Sequence, residues 1–257
     1  MNRRLAAAQT IPIRGDVEAN IQEHVRLVNA AADAEATVVV FPELSLTGYE
    51  LDLADELAFS EADPRLEPLV KLAASRRLTL IVGAPVRIDS RLYIGAFILT
   101  ADGAVDLYTK QHLGAFAPSD SPDGIVPPAE ATVFDPGDRN PLVMIGGSPA
   151  SVAVCADVGR PVHASAAAAR GAKTYLASMF VIPSDLERDL LRLRTYAERH
   201  SMAVVFSNYG GPSGGLPSGG CSAVYVSGEL LVRLGTGSGV AVAIESDAGW
   251  RASTLRA

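Results

Sequence analysis

Three polar residues of different chemistry, Glu43, Lys110 and Cys155, each stand where an apolar, strand-like run of the sequence ends. The three runs cover residues 37–41, 104–109 and 151–155. Because α/β proteins gather reactive groups at strand ends, we expect these side chains to meet. A cysteine nucleophile needs a base to take its proton and a positive group to hold the developing oxyanion. The three residues therefore predict nucleophilic catalysis by Cys155, with Glu43 as the base and Lys110 as the cation.

The protonation of these groups depends on surroundings that the sequence does not define. A free thiol has a pKa of about 8.5 and is mostly protonated at neutral pH. The Ala-rich segment after Cys155 predicts a helix, and a helix N-terminus favours a thiolate. Lys110 beside Glu43 would lower the pKa of that carboxyl, whereas burial would raise it. From the sequence, both a raised and a lowered pKa stay open for the Glu43 carboxyl.

Other interpretations explain fewer of these residues. A lone cysteine usually packs as a small hydrophobe, and a glutamate or lysine at a strand end is usually solvated, so only the three together indicate a site. A papain-like pair of Cys155 with His163 would leave Glu43 and Lys110 without a role. The sequence lacks the paired Cys or His spacing of a zinc site and the Lys-Ser/Thr of a phosphate loop. We therefore expect no metal and no cofactor.

The elements that must position these residues alternate between strands and helices. Apolar and β-branched runs predict strands at residues 5–9, 37–41, 78–86, 91–100, 104–109, 131–134, 141–145, 151–155, 173–179, 202–207, 221–226, 229–234 and 240–244. Helical patterns cover 16–34, 64–77, 161–170 and 184–200, with caps at Asp16 and at Ser184 or Asp185. Hairpins at 78–110 and 221–244 exclude a pure parallel barrel and favour an α/β fold with a mixed sheet or a two-sheet sandwich. The long irregular segment 111–140 is expected to be functional.

The remaining histidines and the second cysteine are expected to have structural roles. His112, two residues after Lys110, is expected to fix its loop by a hydrogen bond. His24 and His200 lie on predicted helices, where we expect them to be solvated or partly packed. Cys221 is expected to be buried and inert.

Length, composition and charge exclude several classes of protein. The chain has 257 residues, of which 48% are hydrophobic, and no low-complexity linker, which predicts a single domain over 1–257. A net charge of −7 argues against nucleic-acid or anionic-membrane partners. Two cysteines make no disulfide framework, and the sequence has neither a signal peptide nor a run of ~20 apolar residues. These features predict a soluble, cytoplasmic protein.

Four separated blocks resemble, in this order, the signature segments of the carbon–nitrogen hydrolase (nitrilase) superfamily. The blocks are Phe41–Tyr49 (FPELSLTGY), Tyr108–Leu113 (YTKQHL), Glu130–Gly137 (EATVFDPG) and Val154–Asp157 (VCAD). Two later loops, Ser207–Gly211 and Gly219–Ser222, are also similar, so the resemblance spans essentially the whole chain. It implies a four-layer αββα sandwich of two mixed β-sheets with helices outside, which pairs into a homodimer. It also implies cysteine-dependent hydrolysis of a small non-peptide amide through a thioester.

The same resemblance implies a role for each polar residue of these blocks. Cys155 would attack the carbonyl carbon, and Glu43 would act as general base for the thiol and later for water. Lys110, with the backbone N–H of Ala156, would hold the tetrahedral oxyanion. Glu130 would orient the substrate amide or the base.

The segment after Cys155 departs from the family pattern, which leaves the substrate open. Val162 stands where many members carry an acid, so Arg160 or His163 is assigned to the pocket, where it would suit an anionic group. Arg160 could instead pair with Asp157. The expected substrate contacts are Tyr49, Ala156, Arg160, His163 and Met179. Two alternatives stay open: acyl transfer to an amine, and a decayed site retained for binding or assembly.

Overall fold

Two β-sheets face each other at the centre of the protein, in a computed structural model that describes residues 2–256. The strands are β1 (Arg4–Gln9), β2 (Val38–Val40), β3 (Thr79–Ile88), β4 (Arg91–Leu99), β5 (Val105–Thr109), β6 (Leu142–Ile145), β7 (Ser148–Val154), β8 (Thr174–Ser178), β9 (Ala203–Ser207), β10 (Ala223–Val226), β11 (Glu229–Arg233), β12 (Gly239–Ser246) and β13 (Gly249–Arg256). The helices are α1 (Val17–Asp33), α2 (Ala54–Leu57), α3 (Glu67–Arg76), α4 (Pro161–Ala169) and α5 (Pro183–Arg199).

Both sheets are mixed and share one plan. The first has the strand order β13-β12-β1-β2-β3-β4-β5, and the second has the order β11-β10-β9-β8-β7-β6. In the first sheet β1, β2 and β3 are parallel, as are β7, β8 and β9 in the second. The strands directly beside these central ones, β12 and β4 in the first sheet and β10 and β6 in the second, run antiparallel to them. The parallel strands are buried on both faces, which explains their continuous apolar sequences.

Three buried layers of side chains hold the sheets and helices together. Val40 and Ile94 of the first sheet pack with Val152 and Val205 of the second in the layer between the sheets. A second layer joins α1 and α3 to the outer face of the first sheet, and a third joins α4 and α5 to the second sheet. The architecture is therefore a four-layer αββα sandwich, which confirms the predicted fold. No helix within residues 2–256 has the length and apolar character needed to cross a membrane.

Helix α1 begins as predicted, but its histidine is more buried than expected. The Asp16 side chain accepts a hydrogen bond from the backbone N–H of Ala19, which caps the helix. His24 is fully buried rather than solvated, because it faces the first sheet and stacks on Phe41 with ring centroids 4.0 Å apart. Burial lowers the pKa of His24 to about 4. Its Nε2 atom lies 2.9 Å from the hydroxyl of Ser45, in the turn that carries Glu43.

Three local predictions are wrong, for identifiable reasons. Residues 131–134 form no strand, because the N–H groups of residues 133 and 134 bond to the carbonyl of Glu130 in a tight turn. Helix α5 begins at Pro183, so its N-cap is Ile182 and neither Ser184 nor Asp185. Strand β12 pairs with β1 in the other sheet rather than extending the predicted hairpin of β10 and β11. The edge strand β13 was not predicted, since most of its residues are exposed.

Candidate active site

Glu43 lies in a tight turn directly after β2 and is fully buried. The turn passes so close to β3 that a Cβ atom on Gly83 would collide with the backbone nitrogen of Leu44. Only glycine fits there. The Gly83 N–H donates to the Ser45 hydroxyl at 3.2 Å, and the Tyr209 hydroxyl donates to the Glu43 carbonyl. Contacts from both sheets therefore fix the backbone of Glu43.

Lys110 follows β5 and bridges two buried carboxylates. Its ammonium nitrogen lies 2.6 Å from Oε1 of Glu43 and 2.7 Å from Oε1 of Glu130, and its side chain has no exposed surface. Glu130 also accepts hydrogen bonds from the Tyr49 hydroxyl and from the Gly114 N–H, both at 2.7 Å. The side chains of Glu43, Lys110, Glu130 and Tyr49 form one connected cluster beneath the surface. In this cluster the Lys110 ammonium lies between the two carboxylates.

Cys155 stands at the C-terminal end of β7, half-buried, where the chain turns sharply toward α4. Its φ angle of 43° lies in the left-handed region, which a residue with a side chain adopts at some cost. The thiol sulfur lies 3.5 Å from the carbonyl oxygen of Phe180. A strained turn of this kind lifts a nucleophile out of the sheet and toward a cavity.

Burial dominates the protonation of this cluster. It raises the pKa of Glu43 to about 7, even though the charge of Lys110 opposes the rise. Burial alone would lower the pKa of Lys110, but the charges of Glu43 and Glu130 outweigh it and raise that pKa above its ordinary value. Burial, together with the charge of Glu43, raises the pKa of Cys155 well above the usual range. The resting site therefore holds a protonated thiol, a lysine ammonium and a glutamate that titrates near neutral pH.

A small cavity of about 150 Å³ opens above Cys155 and Glu130. Its inner wall is apolar and aromatic and includes Tyr49, Phe116 and Phe180, whose rings pack against one another at centroid distances of 5.1–5.6 Å. Residues 114–116 of the long irregular segment supply part of this wall, so that segment shapes the cavity. A cavity this narrow is suited to a small substrate.

The predicted substrate contacts divide into two groups. Tyr49, Ala156 and Met179 line the cavity. Arg160 is exposed and is not part of the lining; its backbone N–H bonds to the Asp157 carbonyl at 3.0 Å, but within residues 2–256 its side chain forms no ion pair with the Asp157 carboxylate. His163 is buried behind the cavity, because α4 turns it toward the second sheet. Arg160 and His163, which the sequence assigned to the pocket, therefore lie outside the lining of this cavity.

Asp157 joins the segment of Lys110 to the turn of Cys155. Its fully buried carboxylate accepts hydrogen bonds from the Tyr108 hydroxyl at 2.7 Å and from the His112 backbone N–H at 2.8 Å. The His112 ring nitrogen Nδ1 lies 2.8 Å from the same carboxylate, which confirms the hydrogen bond predicted for this histidine. His163 extends the network, since its ring nitrogens lie 3.0 Å from the Tyr108 hydroxyl and 2.8 Å from that of Tyr175.

The mouth of the cavity contains residues that the sequence interpretation missed. Four charged side chains of α5 line it: Asp185, Arg188, Asp189 and Arg192. Their i, i+3, i+4, i+7 spacing marks one helix face, but a helix pattern alone does not say what that face borders. Within residues 2–256, no group of three or more His, Cys, Asp or Glu side chains is placed to hold a metal ion.

Comparison with known proteins agrees with this fold. Residues 4–247 match the carbon-nitrogen hydrolase family, and the chain belongs to that family. Among solved structures, the amidase of Nesterenkonia sp. AN1 superposes with a TM-score of 0.82 at 26% identity, covering 96% of this chain and 94% of that one. The family relationship and this structural similarity place the protein within the nitrilase superfamily, with amidases among its structural relatives.

Two further comparisons concern chemistry and length. A variant of the Nesterenkonia sp. AN1 amidase carries the acetamide moiety of fluoroacetamide on its active-site cysteine; it has a TM-score of 0.81 at 26% identity, covering 96% of this chain and 91% of that one. The glutamine-dependent NAD(+) synthetase of Thermotoga maritima is 27% identical over 235 residues, which is 89% of this chain. The chain spans only 39% of that curated relative's length.

Proposed function

We propose that the protein hydrolyses small non-peptide amides through a thioester on Cys155. The observation that carries this proposal is the connected cluster of Glu43, Lys110 and Glu130 beneath a cavity that has Cys155 on its floor. The acetamide adduct on the cysteine of the Nesterenkonia amidase variant supports a covalent step at the equivalent type of residue. The narrow 150 Å³ cavity, with aromatic side chains in its wall, supports a short acyl chain.

In the first half of the proposed reaction, Glu43 removes the thiol proton as Cys155 attacks the carbonyl carbon. Oε1 of Glu43 is held by Lys110, whereas Oε2 accepts no hydrogen bond among residues 2–256 and is available for this proton. The tetrahedral oxyanion is stabilised by the Lys110 ammonium and by the backbone N–H of Ala156. Glu43 then passes the proton to the departing nitrogen, and ammonia leaves the thioester behind.

In the second half, Glu43 takes a proton from water, which attacks the thioester. The carboxylic acid is released and the thiol of Cys155 regains its proton. Glu130 holds Lys110 in place through the whole cycle and, with Tyr49, forms the polar side of the cavity. The balanced reaction converts one amide and one water into one carboxylic acid and one ammonia.

Intact-protein mass spectrometry with a panel of short primary amides tests this proposal. We expect an added acyl mass on the wild type and on Cys221→Ala, because Cys221 lies outside the cavity lining, but none on Cys155→Ala. Released ammonia should follow the same pattern. Full amide hydrolysis by Cys155→Ala, or no hydrolysis of any amide by the wild type, would contradict the proposal.

Adding hydroxylamine as a competing nucleophile distinguishes hydrolysis from acyl transfer. A thioester that partitions mainly to the acid at moderate hydroxylamine concentration supports water as the normal acceptor. Predominant transfer to the amine, with little acid formed in its absence, would assign the protein to acyl transfer instead.

A further inference from the structure

A row of paired charges at the mouth of the cavity has no part in the proposed bond-breaking steps. Asp185, Arg188, Asp189 and Arg192 all line the cavity from one face of α5. Their formal charges sum to zero, with two acids alternating with two arginines. We call these four residues the charge row; the aromatic lining residues Tyr49, Phe116 and Phe180 belong to other segments of the chain.

The pairing within the charge row is dense and partly buried. Nη2 of Arg188 lies 2.9 Å from Oδ2 of Asp185, and its Nε lies 3.5 Å from Oδ1 of Asp189. Arg192 also pairs with Asp189. The Asp189 side chain is only 10% exposed, and burial raises its pKa despite both arginines. Because partly exposed ion pairs add little to stability, helix stability alone does not account for four charges at the cavity.

The charge row keeps unused hydrogen-bonding capacity. A guanidinium has five N–H donors, and the pairs formed by Arg188 use Nη2 and Nε, so its Nη1 group is available. Asp185 uses Oδ2 in its ion pair, and its Oδ1 atom has no hydrogen-bond donor among residues 2–256. Both side chains are partly exposed, at 58% for Arg188 and 33% for Asp185. Because donor and acceptor belong to one ion pair, a ligand that satisfies both must carry its own opposite charges close together.

We propose that the charge row selects amides whose acyl chain ends in an α-amino acid head group, with ammonium and carboxylate on one carbon. This inference rests on the proposed amide hydrolysis. The carboxylate binds the guanidinium of Arg188, and the ammonium binds Asp185. The aromatic part of the cavity holds the methylene chain between this head group and Cys155. A ligand with only one of the two charges is attracted by one partner of the ion pair and repelled by the other, so it binds less well.

Four primary amides with the same linear acyl chain test this selection. Glutamine carries both charges, glutaric acid monoamide lacks the ammonium, 4-aminobutanamide lacks the carboxylate, and butyramide lacks both. We expect kcat/KM for glutamine to exceed that for each of the others by about tenfold or more. Asparagine against propionamide repeats the comparison with a chain one carbon shorter. A neutral amide hydrolysed as well as its charged counterpart in both series overturns the inference but leaves the proposed hydrolysis intact.

Substitutions within α5 connect the selection to the charge row. We expect Arg188→Gln to lower the ratio of kcat/KM for glutamine over butyramide by about tenfold. Asp185→Asn should lower the ratio for 4-aminobutanamide over butyramide in the same way. Arg199→Gln, an exposed arginine of the same helix outside the cavity lining, is the matched control and should keep both ratios. Unchanged ratios in Arg188→Gln would contradict the assignment. If no amide is hydrolysed by any form, the proposed function itself fails.

Discussion

At the scale of single residues, the protons around Cys155 define how the site can work. Two carboxylates and one ammonium surround the thiol, and its pKa is raised well above the usual range, first by burial and then by the charge of Glu43. The thiol therefore stays protonated until a substrate is present, and its proton must be removed during the attack. Because the pKa of Glu43 is raised to about 7, a large fraction of this carboxylate is ionised at neutral pH, and it is basic enough to accept the thiol proton.

The pH dependence of activity follows from this assignment. Glu43 must be ionised to act as a base, so kcat/KM should fall as pH drops below the value of about 7 given for its pKa and reach a plateau above it. Glu43→Gln should lower kcat/KM by about 10²–10⁴ and remove this acidic limb. A pH–rate profile on a neutral amide measures both effects. Glu18→Gln, at an exposed position of α1, should retain the limb. An acidic limb that persists in Glu43→Gln would show that another group titrates.

At the scale of secondary-structure elements, local patterns and spatial neighbours differ in how well the sequence predicts them. The strands before Glu43, Lys110 and Cys155 could be predicted because a buried strand is apolar whatever it pairs with. The pairing of β12 with β1 in the first sheet could not be predicted, since the β12 sequence does not specify its partner strand. β13 escaped prediction because an exposed edge strand lacks the apolar run.

The same distinction applies to the candidate site. The ends of strands bring Glu43, Lys110 and Cys155 together, and motif blocks point to them directly. The mouth of the cavity depends instead on which way each helix faces. Arg160 was expected there because Val162 replaces the acid that many family members carry in this segment, but the turn into α4 leaves Arg160 exposed. The mouth is lined by α5, whose charge row begins at Asp185, thirty residues after Cys155.

The Asp157 carboxylate connects two of these elements and is expected to be a positioning residue. Asp157→Asn replaces one acceptor oxygen by an NH₂ group that would face N–H and O–H donors. We expect kcat to fall by about 10–100-fold with a smaller change in KM, and the free energy of unfolding to fall by roughly 1–3 kcal/mol. Steady-state kinetics, the rate of Cys155 alkylation by iodoacetamide and denaturant unfolding measure these effects.

Asp138→Asn provides the control for this prediction, because Asp138 is exposed and its change should leave all three quantities near the wild-type values. A loss of stability in Asp157→Asn with unaltered kcat and alkylation rate would restrict Asp157 to a purely structural role. If Asp157→Asn had normal kinetics and normal stability, the Asp157 hydrogen bonds would have neither a positioning nor a stabilising role.

At the scale of the whole molecule, we predict a homodimer that forms through the outer layer of the second sheet. Large apolar side chains are exposed there on three elements: Val162 on α4 (68%), Leu191 on α5 (63%) and Leu230 on β11 (48%). Leu191→Glu should shift the protein to a monomer, because a charge would be buried at the contact. Size-exclusion chromatography with light scattering measures the mass. Ile13→Glu, at a similarly exposed site near β1, should stay dimeric, and a monomeric wild type would contradict the prediction.

The pairing of β1 with β12 has a consequence for how this protein is made. Leu5 pairs with Ala243, so β1 waits until residues 239–246 have been synthesised for the strand that covers its open side. Until then the growing chain exposes unpaired backbone groups beside the strand that leads to Glu43, and such edges invite aggregation. Contacts this distant in sequence also slow folding. A nascent chain stalled before β12 would already contain Glu43, Lys110, Glu130 and Cys155, yet it would be a client for chaperones rather than an enzyme.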